Sequence, residues 1–380
     1  MAETVTFPEI SAPDQAAANR ASQMRGSVPI EGGHNGAEPL SAGSDAVGTT
    51  TATLPVGSLG VLEKAVSWIA ACQGQAPAHR PRAVSLIVVP GAHGIAESAP
   101  EISALPADFT ESAVELLRSG TAPVATACRQ AGVSLEVIDA TLGSPAAAFD
   151  RADAVTSEVM QEQLAAGVAK ANALADAGHD LVLVGDVGRG LTTVAATVIG
   201  SICGVEPVKI IGRGSGISDE AWRVKVRAIR DAMFRVRDDR AVADRVLYRL
   251  GGADIAFSAG LLAQCAVRRT PVIFDGVATA AAALCAEMLA PGASQWWRPA
   301  SQSVEPASEA ALDGLALEPL TNWAIGAGQG LGAVLAYTSV AQAVGLLEGE
   351  PSPVDDPTPT DHPTPMDTPA PTGEPTPVEP

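Results

Sequence analysis

The chain has 380 residues, 47% of them apolar but only 3% aromatic, so a large core must be packed from Ala, Val, Leu and Ile. Its formal charge is −19, a balance that argues against nucleic acid or an anionic membrane as partner and obliges any anionic substrate to find a local basic site. The five cysteines are dispersed through apolar surroundings, none in a Cys-x-x-Cys pair, and the five histidines share no ligand spacing with them; they read as buried thiols of a cytoplasmic protein without a metal site.

Residues 1–25 form an N-terminal helical segment, with an alanine-rich helix expected over Pro13 to Met24. No basic region followed by an apolar block marks a signal peptide. Residues 26–53 are rich in Gly, Ser, Thr, Glu and Pro with little periodicity, and read as a flexible insertion. Order resumes at Leu54-Pro-Val-Gly-Ser-Leu-Gly60, followed by a helix whose Leu62, Val66, Ile69 and Ala70 share one buried face. Four apolar, β-branched runs then predict strands: Ala83–Val89, Val133–Ile138, Asp180–Val184 and Thr270–Phe274, with Val208–Ile211 a shorter fifth. The helix predicted over Gln161 to Ala177 puts Leu164, Val168, Ala171 and Ala175 on one side. That over Glu220 to Val236 gathers Trp222, Val226, Ile229 and Met233, and leaves Arg223, Arg227 and Arg230 on a solvated face. Val334 to Leu347 is apolar but too short to span a bilayer. The last segment, 349–380, is a Pro/Thr-rich acidic tail, expected to be extended and disordered. Apolar strands alternating with helices indicate an α/β protein built on a doubly wound parallel sheet, covered on both faces.

The most informative stretch is Asp180-Leu-Val-Leu-Val-Gly-Asp-Val-Gly-Arg-Gly-Leu-Thr-Thr193, an apolar strand running into a glycine-rich turn and then a helix. Such a junction lets the backbone approach an anion closely and offers it unpaired N–H groups. Thr193 stands where the dinucleotide fingerprint needs a third glycine, and no Gly-Lys-Ser/Thr follows for a P-loop. Three further polar turns, Gly91-Ala-His-Gly94, Gly212-Arg-Gly-Ser-Gly216 and Asp275-Gly276, fall at predicted strand ends, where ligands of parallel sheets gather. Asp275 is also placed to cap the following helix, and His93 reads as structural.

Taken in order, these turns resemble the nicotinate-nucleotide–dimethylbenzimidazole phosphoribosyltransferase family over about Leu54 to Glu348 and the Phe7 to Met24 segment. Further carriers are Pro55-Val-Gly-Ser-Leu-Gly60, Ser103-Ala-Leu-Pro106, Gly251-Gly-Ala-Asp-Ile-Ala256, Thr270-Pro-Val-Ile-Phe-Asp-Gly276, Ser303-Val-Glu-Pro306 and Leu317-Glu-Pro-Leu320. The resemblance implies a phosphoribosyltransferase domain over 54–348, a small helical part built from both chain ends, and a homodimer. It implies transfer of phosphoribose from nicotinate mononucleotide to a benzimidazole-type base, with no metal and no cofactor. It places Gly188, Gly190, Thr192, Gly214, Ser215, Gly216, Lys225, Thr279 and Ser103 around the substrates, and Asp186 near the ribose. Where the family carries its general-base glutamate, this chain has Gln329, in Gly326-Ala-Gly-Gln-Gly330. Ala92, Leu191, Leu105 and Ser301-Gln302-Ser303 depart from the family pattern as well. Two functions therefore stay open. One is a transferase in which Asp186 or water accepts the proton. The other is a weakened or non-catalytic relative that binds nucleotide or a partner protein.

Overall fold

The computed structural model describes residues 4–24, 27–30, 50–54, 57–139 and 141–347. Seven strands lie among them: β1 (Ser27–Ile30), β2 (Thr50–Thr53), β3 (Val84–Pro90), β4 (Ser134–Val137), β5 (Leu181–Val187), β6 (Val272–Phe274) and β7 (Trp297–Pro299). The last five form one sheet in the order β4-β3-β5-β6-β7, with every neighbouring pair parallel. Chain order reverses between β3 and β5, so their carboxyl ends flank the crevice in which open α/β sheets bind ligands.

Period-two alternation divides the strand residues between two cores. Ile87, Val89, Val182, Val184, Val272 and Phe274 face helices Ser157–Asp176, Leu191–Cys203, Ala253–Val267 and Val277–Leu289. Leu86, Val88, Leu181, Leu183 and Ile273 face helices Val61–Gln73, Phe109–Arg118, Pro123–Ala131 and Leu331–Leu347. The sheet is thus covered on both faces, which is why its central strands read as unbroken apolar runs. Helix Gln15–Ser22, capped by the Asp14 carboxylate, adds Ala21 to the second core. Helices from both ends of the described chain therefore pack on that side, each against helix Val61–Gln73. The described residues all fall within one unit, Met1–Gly349.

Two expectations are corrected. Val208–Ile211 is not a strand: Pro207 opens a short helix, Pro207–Ile210, its ring presetting the first helical φ. The fifth strand is β7, whose three residues are too few to show a period; Trp297 and Pro299 are buried against β6. The ends of the expected flexible insertion, β1 and β2, pair antiparallel. Residues 31–49 and the tail expected over 349–380 lie outside the described residues.

Helices Ser157–Asp176 and Ala253–Val267 cross at two glycines. A Cβ on Gly167 would collide with the Phe257 carbonyl, and one on Gly260 with the Leu164 carbonyl. Gly167→Ala or Gly260→Ala is expected to cost about 1–3 kcal/mol through overpacking. A Cβ at Gly345, in helix Leu331–Leu347, meets nothing, so Gly345→Ala should gain up to about 1 kcal/mol. Thermal unfolding of the three variants checks this; a neutral Gly260→Ala would contradict the close crossing.

Candidate active site

The carboxyl end of β5 is built for close approach. Gly91 N–H donates to the Val187 carbonyl (2.9 Å), and a Cβ on Gly188 would stand 2.5 Å from the Gly91 carbonyl oxygen. On the other side, a Cβ on Gly185 would strike the backbone of Gly330. The turn Gly328-Gln329-Gly330 therefore lies directly on the strand, where Gln329 N–H donates to the Asp186 carbonyl (2.9 Å). All three turn residues have positive φ, including Gln329 at 58°; holding a non-glycine residue there costs about 1 kcal/mol or more, which the surrounding contacts must supply.

A cavity of about 390 Å³ opens at this point. Leu105, Phe109, Leu191, Val304 and Ile325 give it apolar walls. Its polar side chains are Asp186, Asp275, Glu305, Gln329, Thr192, Ser215 and Ser303. Apolar walls with a few converging polar groups suit a small, largely apolar ligand ring.

Asp186 and Asp275 each hold the start of a helix. Asp186 Oδ2 accepts from Ala278 N–H (3.1 Å), Thr279 N–H (3.1 Å) and Thr279 Oγ1–H (3.2 Å). Among the described residues no hydrogen bond reaches its Oδ1. Asp275 Oδ2 accepts from Gly332 N–H (2.9 Å) and so caps helix Leu331–Leu347; this corrects the expectation that it caps the helix next to it. Burial pushes the Asp186 carboxyl up to about 6, against the pull of its Thr279 and Ala278 donors. Burial, and then the charge of Asp186, pushes Asp275 up to about 7.

The second cluster surrounds Lys225. This lysine, on helix Asp219–Arg235, is fully buried, and its Nζ donates to Thr192 Oγ1 (3.0 Å). A Cβ on Gly214 would sit 3.3 Å from the same Nζ and 3.0 Å from Thr192 Oγ1. Burial lowers the lysine's proton affinity, and Glu305 opposes that shift. A buried ammonium with only part of its charge answered is what an anion needs in an acidic protein. Ser215 Oγ accepts from Ala104 N–H (2.7 Å) and meets Ser103 Oγ at 3.4 Å, joining this cluster to the Ser103–Leu105 loop. Arg189 fixes that loop by donating to the carbonyls of Leu105 (3.0 Å), Ala96 (2.5 Å) and Pro100 (2.9 Å).

Most of the expected site residues converge here. Asp186, Gly188, Thr192, Gly214, Ser215 and Gln329 line the cavity; Lys225 and Ser103 touch its lining. Like Lys225 and Ser103, the other three expected residues do not line it. Thr279 is buried, and its one hydroxyl proton is shared between Asp186 Oδ2 (3.2 Å) and the Asp275 carbonyl (3.0 Å). A Cβ on Gly190 would stand 2.9 Å from the Ala96 methyl, so that glycine serves packing, and Gly216 has open space beside it. The sequence reading left Glu305 and Phe109 unassigned, although Glu305 stands in the Ser303-Val-Glu-Pro306 block. His93, expected to be structural, is buried and pairs through Nε2 with Asp254 Oδ2 at 3.1 Å. Asp254 opens helix Ala253–Val267, and its charge adds to the upward push on Asp186.

These carboxyls carry a stability signature. An unfolded aspartate titrates near about 3.9, below both folded values, so the folded state keeps protons that the unfolded chain has lost. Their contribution is complete below about pH 4 and drains away as pH rises through about 6 and 7. Asp186→Asn should flatten the fall in stability between pH 4 and 7. At pH 8 it should raise stability over wild type by on the order of 1–3 kcal/mol. Parallel stability–pH curves for the two proteins would contradict this.

The comparisons with known proteins agree with this geometry. A family model described as phosphoribosyltransferase matches residues 46–352. The chain is 41% identical over 305 residues to the nicotinate-nucleotide–dimethylbenzimidazole phosphoribosyltransferase of Corynebacterium glutamicum strain R, covering 78% of this chain and 85% of that protein. It is 40% identical over 326 residues to the enzyme of the same name from Mycobacterium avium, covering 82% and 92%. Among solved structures, CobT from Thermus thermophilus superimposes with a TM-score of 0.72 at 27% identity, over 78% of this chain and 92% of that one. Among the described residues, no helix is long and apolar enough to cross a membrane. With its parallel sheet, its strand-end cavity and these relatives, the chain belongs to the nicotinate-nucleotide–dimethylbenzimidazole phosphoribosyltransferase family.

Proposed function

We propose that this protein transfers phosphoribose from nicotinate mononucleotide to a benzimidazole-type base, giving an α-ribazole phosphate and nicotinate for the nucleotide loop of cobalamin. The observation that carries the reading is the Asp186 carboxylate. It lines an apolar-walled cavity with Oδ2 bonded to three donors and Oδ1 unengaged among the described residues. Lys225, Thr192, Gly214 and Ser215 supply an anion site beside it, fit for the 5′-phosphate.

One benzimidazole nitrogen attacks the ribose C1′ as the bond from C1′ to the pyridinium nitrogen breaks, and the bonding pair leaves with nicotinate. The leaving group departs as a neutral ring and needs no acid. The proton on the other benzimidazole nitrogen goes to Asp186 Oδ1. Enclosure raises that carboxyl to about 6, which makes it a stronger acceptor than a solvated aspartate yet leaves it ionised at neutral pH. The Gln329 amide cannot take the proton at neutral pH; it orients the ring. Positioning of the two substrates supplies the remaining acceleration.

Gln329 itself favours a second reading. With an amide where the family has its base, the chain could be a disarmed relative that binds nucleotide or a partner without turnover. Nicotinate release from nicotinate mononucleotide and 5,6-dimethylbenzimidazole separates the two. The first reading expects turnover by wild type and a loss of about 10²–10⁴ in kcat for Asp186→Asn. An inert wild type with an active Gln329→Glu variant would establish the second. Lys225→Met should raise KM for the nucleotide roughly 10–100-fold, about 1.4–2.8 kcal/mol of binding; an unchanged KM would remove Lys225 from the phosphate site. The reading also carries a cytoplasmic homodimer, in keeping with free thiols at all five cysteines. Sedimentation at micromolar concentration tests the dimer.

A further inference from the structure

Glu305 brings to the cavity a carboxylate with no partner of its own. The residue is 9% exposed and lines the cavity together with Ser303, Gly214 and Ser215. Its backbone is pinned ahead of helix Ala307–Leu315: the N–H donates to Ser303 Oγ (3.3 Å), and the carbonyl accepts from Ser308 N–H (2.9 Å). Among the described residues no hydrogen bond or ion pair reaches its side-chain oxygens. The fold nevertheless makes room for them. A Cβ on Gly212 would stand 2.7 Å from Oε2, and Gly212 does not have a positive φ, so space is what the glycine supplies there. The other oxygen lies toward the anion site. A Cβ on Gly214 would stand 3.9 Å from Glu305 Oε1, 3.3 Å from Lys225 Nζ and 3.0 Å from Thr192 Oγ1. Carboxylate and ammonium are thus neighbours, near enough for Glu305 to support the lysine's charge without pairing with it.

An ionised carboxylate accepts hydrogen bonds and donates none, and an enclosed one is costly to leave unpaired. At neutral pH the only donors on nicotinate mononucleotide are the 2′- and 3′-hydroxyls of its ribose. Its phosphate and carboxylate accept, and its pyridinium nitrogen carries no proton. Two adjacent hydroxyls match the two oxygens of one carboxylate. We infer that Glu305 is a specificity-determining residue that accepts from the ribose diol and selects the ribonucleotide over its deoxy counterparts. With the 5′-phosphate held at Lys225, Thr192 and Gly214, the ribose joined to it falls beside Glu305. The inference rests on the nucleotide site proposed above, and holds whether or not turnover follows. The transfer step is unchanged: Glu305 takes no proton and forms no covalent bond, but fixes the sugar between its phosphate and the incoming ring.

The test is calorimetric binding of nicotinate mononucleotide and its 2′-deoxy and 3′-deoxy analogues to wild type, Glu305→Gln and Glu305→Ala. Wild type should lose roughly 10–100-fold in affinity when either hydroxyl is removed, the worth of a hydrogen bond to a charged group. Glu305→Gln, which keeps a neutral acceptor, should lose roughly 2–10-fold, and Glu305→Ala less than about twofold. A carboxylate with only a structural role would weaken all three nucleotides alike on substitution and leave these ratios at their wild-type values, which would overturn the inference. Were neither variant to fold, equal affinity of wild type for the three nucleotides would overturn it as surely. A wild type that binds and selects the ribose without turning it over would uphold the inference and overturn the transferase reading. A wild type that binds none of the three would overturn the Lys225 site, and the inference with it.

Discussion

Three backbone segments crowd the carboxyl end of β5, and the site exists because glycines let them. Gly188 admits the Gly91 carbonyl, Gly185 admits the Gly328-Gln329-Gly330 turn, and Gly276 admits the Asp186 carboxylate. A methyl at any of the three would push apart segments that must meet. The left-handed Gln329 turn can rest on the strand only because nothing projects from Gly185. The cavity, its two aspartates and its amide are gathered around this one crowded strand end.

Electrostatics then decides what the cavity can do. A chain of formal charge −19 repels an anionic nucleotide at long range, so the attraction has to be local. Lys225 provides it from a buried position where solvent screens little, hydrogen-bonded to Thr192 beside the Gly214 turn. Asp186 and Asp275 face the opposite problem, charge buried in an apolar enclosure. Each meets it by pointing at the unpaired N–H groups of a helix start. The balance leaves Asp186 mostly ionised at neutral pH and Asp275 in the middle of its titration, both with more appetite for a proton than a surface aspartate has. It also destabilises the fold as pH rises, the usual cost of a strained functional group.

How much of this was legible in the sequence follows from the range of the interactions. Val84–Val89 and Leu181–Val184 announce themselves because both of their faces are buried, and every residue but Ser85 is apolar as a result. The glycine turns at the ends of β3 and β5 are local too, so the crevice could be located in advance. Val208–Ile211 misled because β-branched residues look alike in a strand and in one short helical turn, and Pro207 decided the matter. β7 was invisible because three residues show no period. The roles of Thr279 and Asp275 were also out of reach. Each acts on a partner 93 or 57 residues away, on a strand end or helix start that only the tertiary fold brings near. Gln329 was legible as a departure from the family pattern; the Asp186 Oδ1 left unengaged beside its turn was not.

The central claim is that the Asp186 carboxylate, and not the residue at position 329, receives the proton of the incoming base. A crystal structure with the product α-ribazole 5′-phosphate bound tests it most directly. The account expects the free ring nitrogen within about 3 Å of Asp186 Oδ1, with the phosphate against Thr192, Gly214 and Ser215. A product whose free nitrogen faces Gln329 or solvent, with Asp186 touching only the ribose, would contradict it.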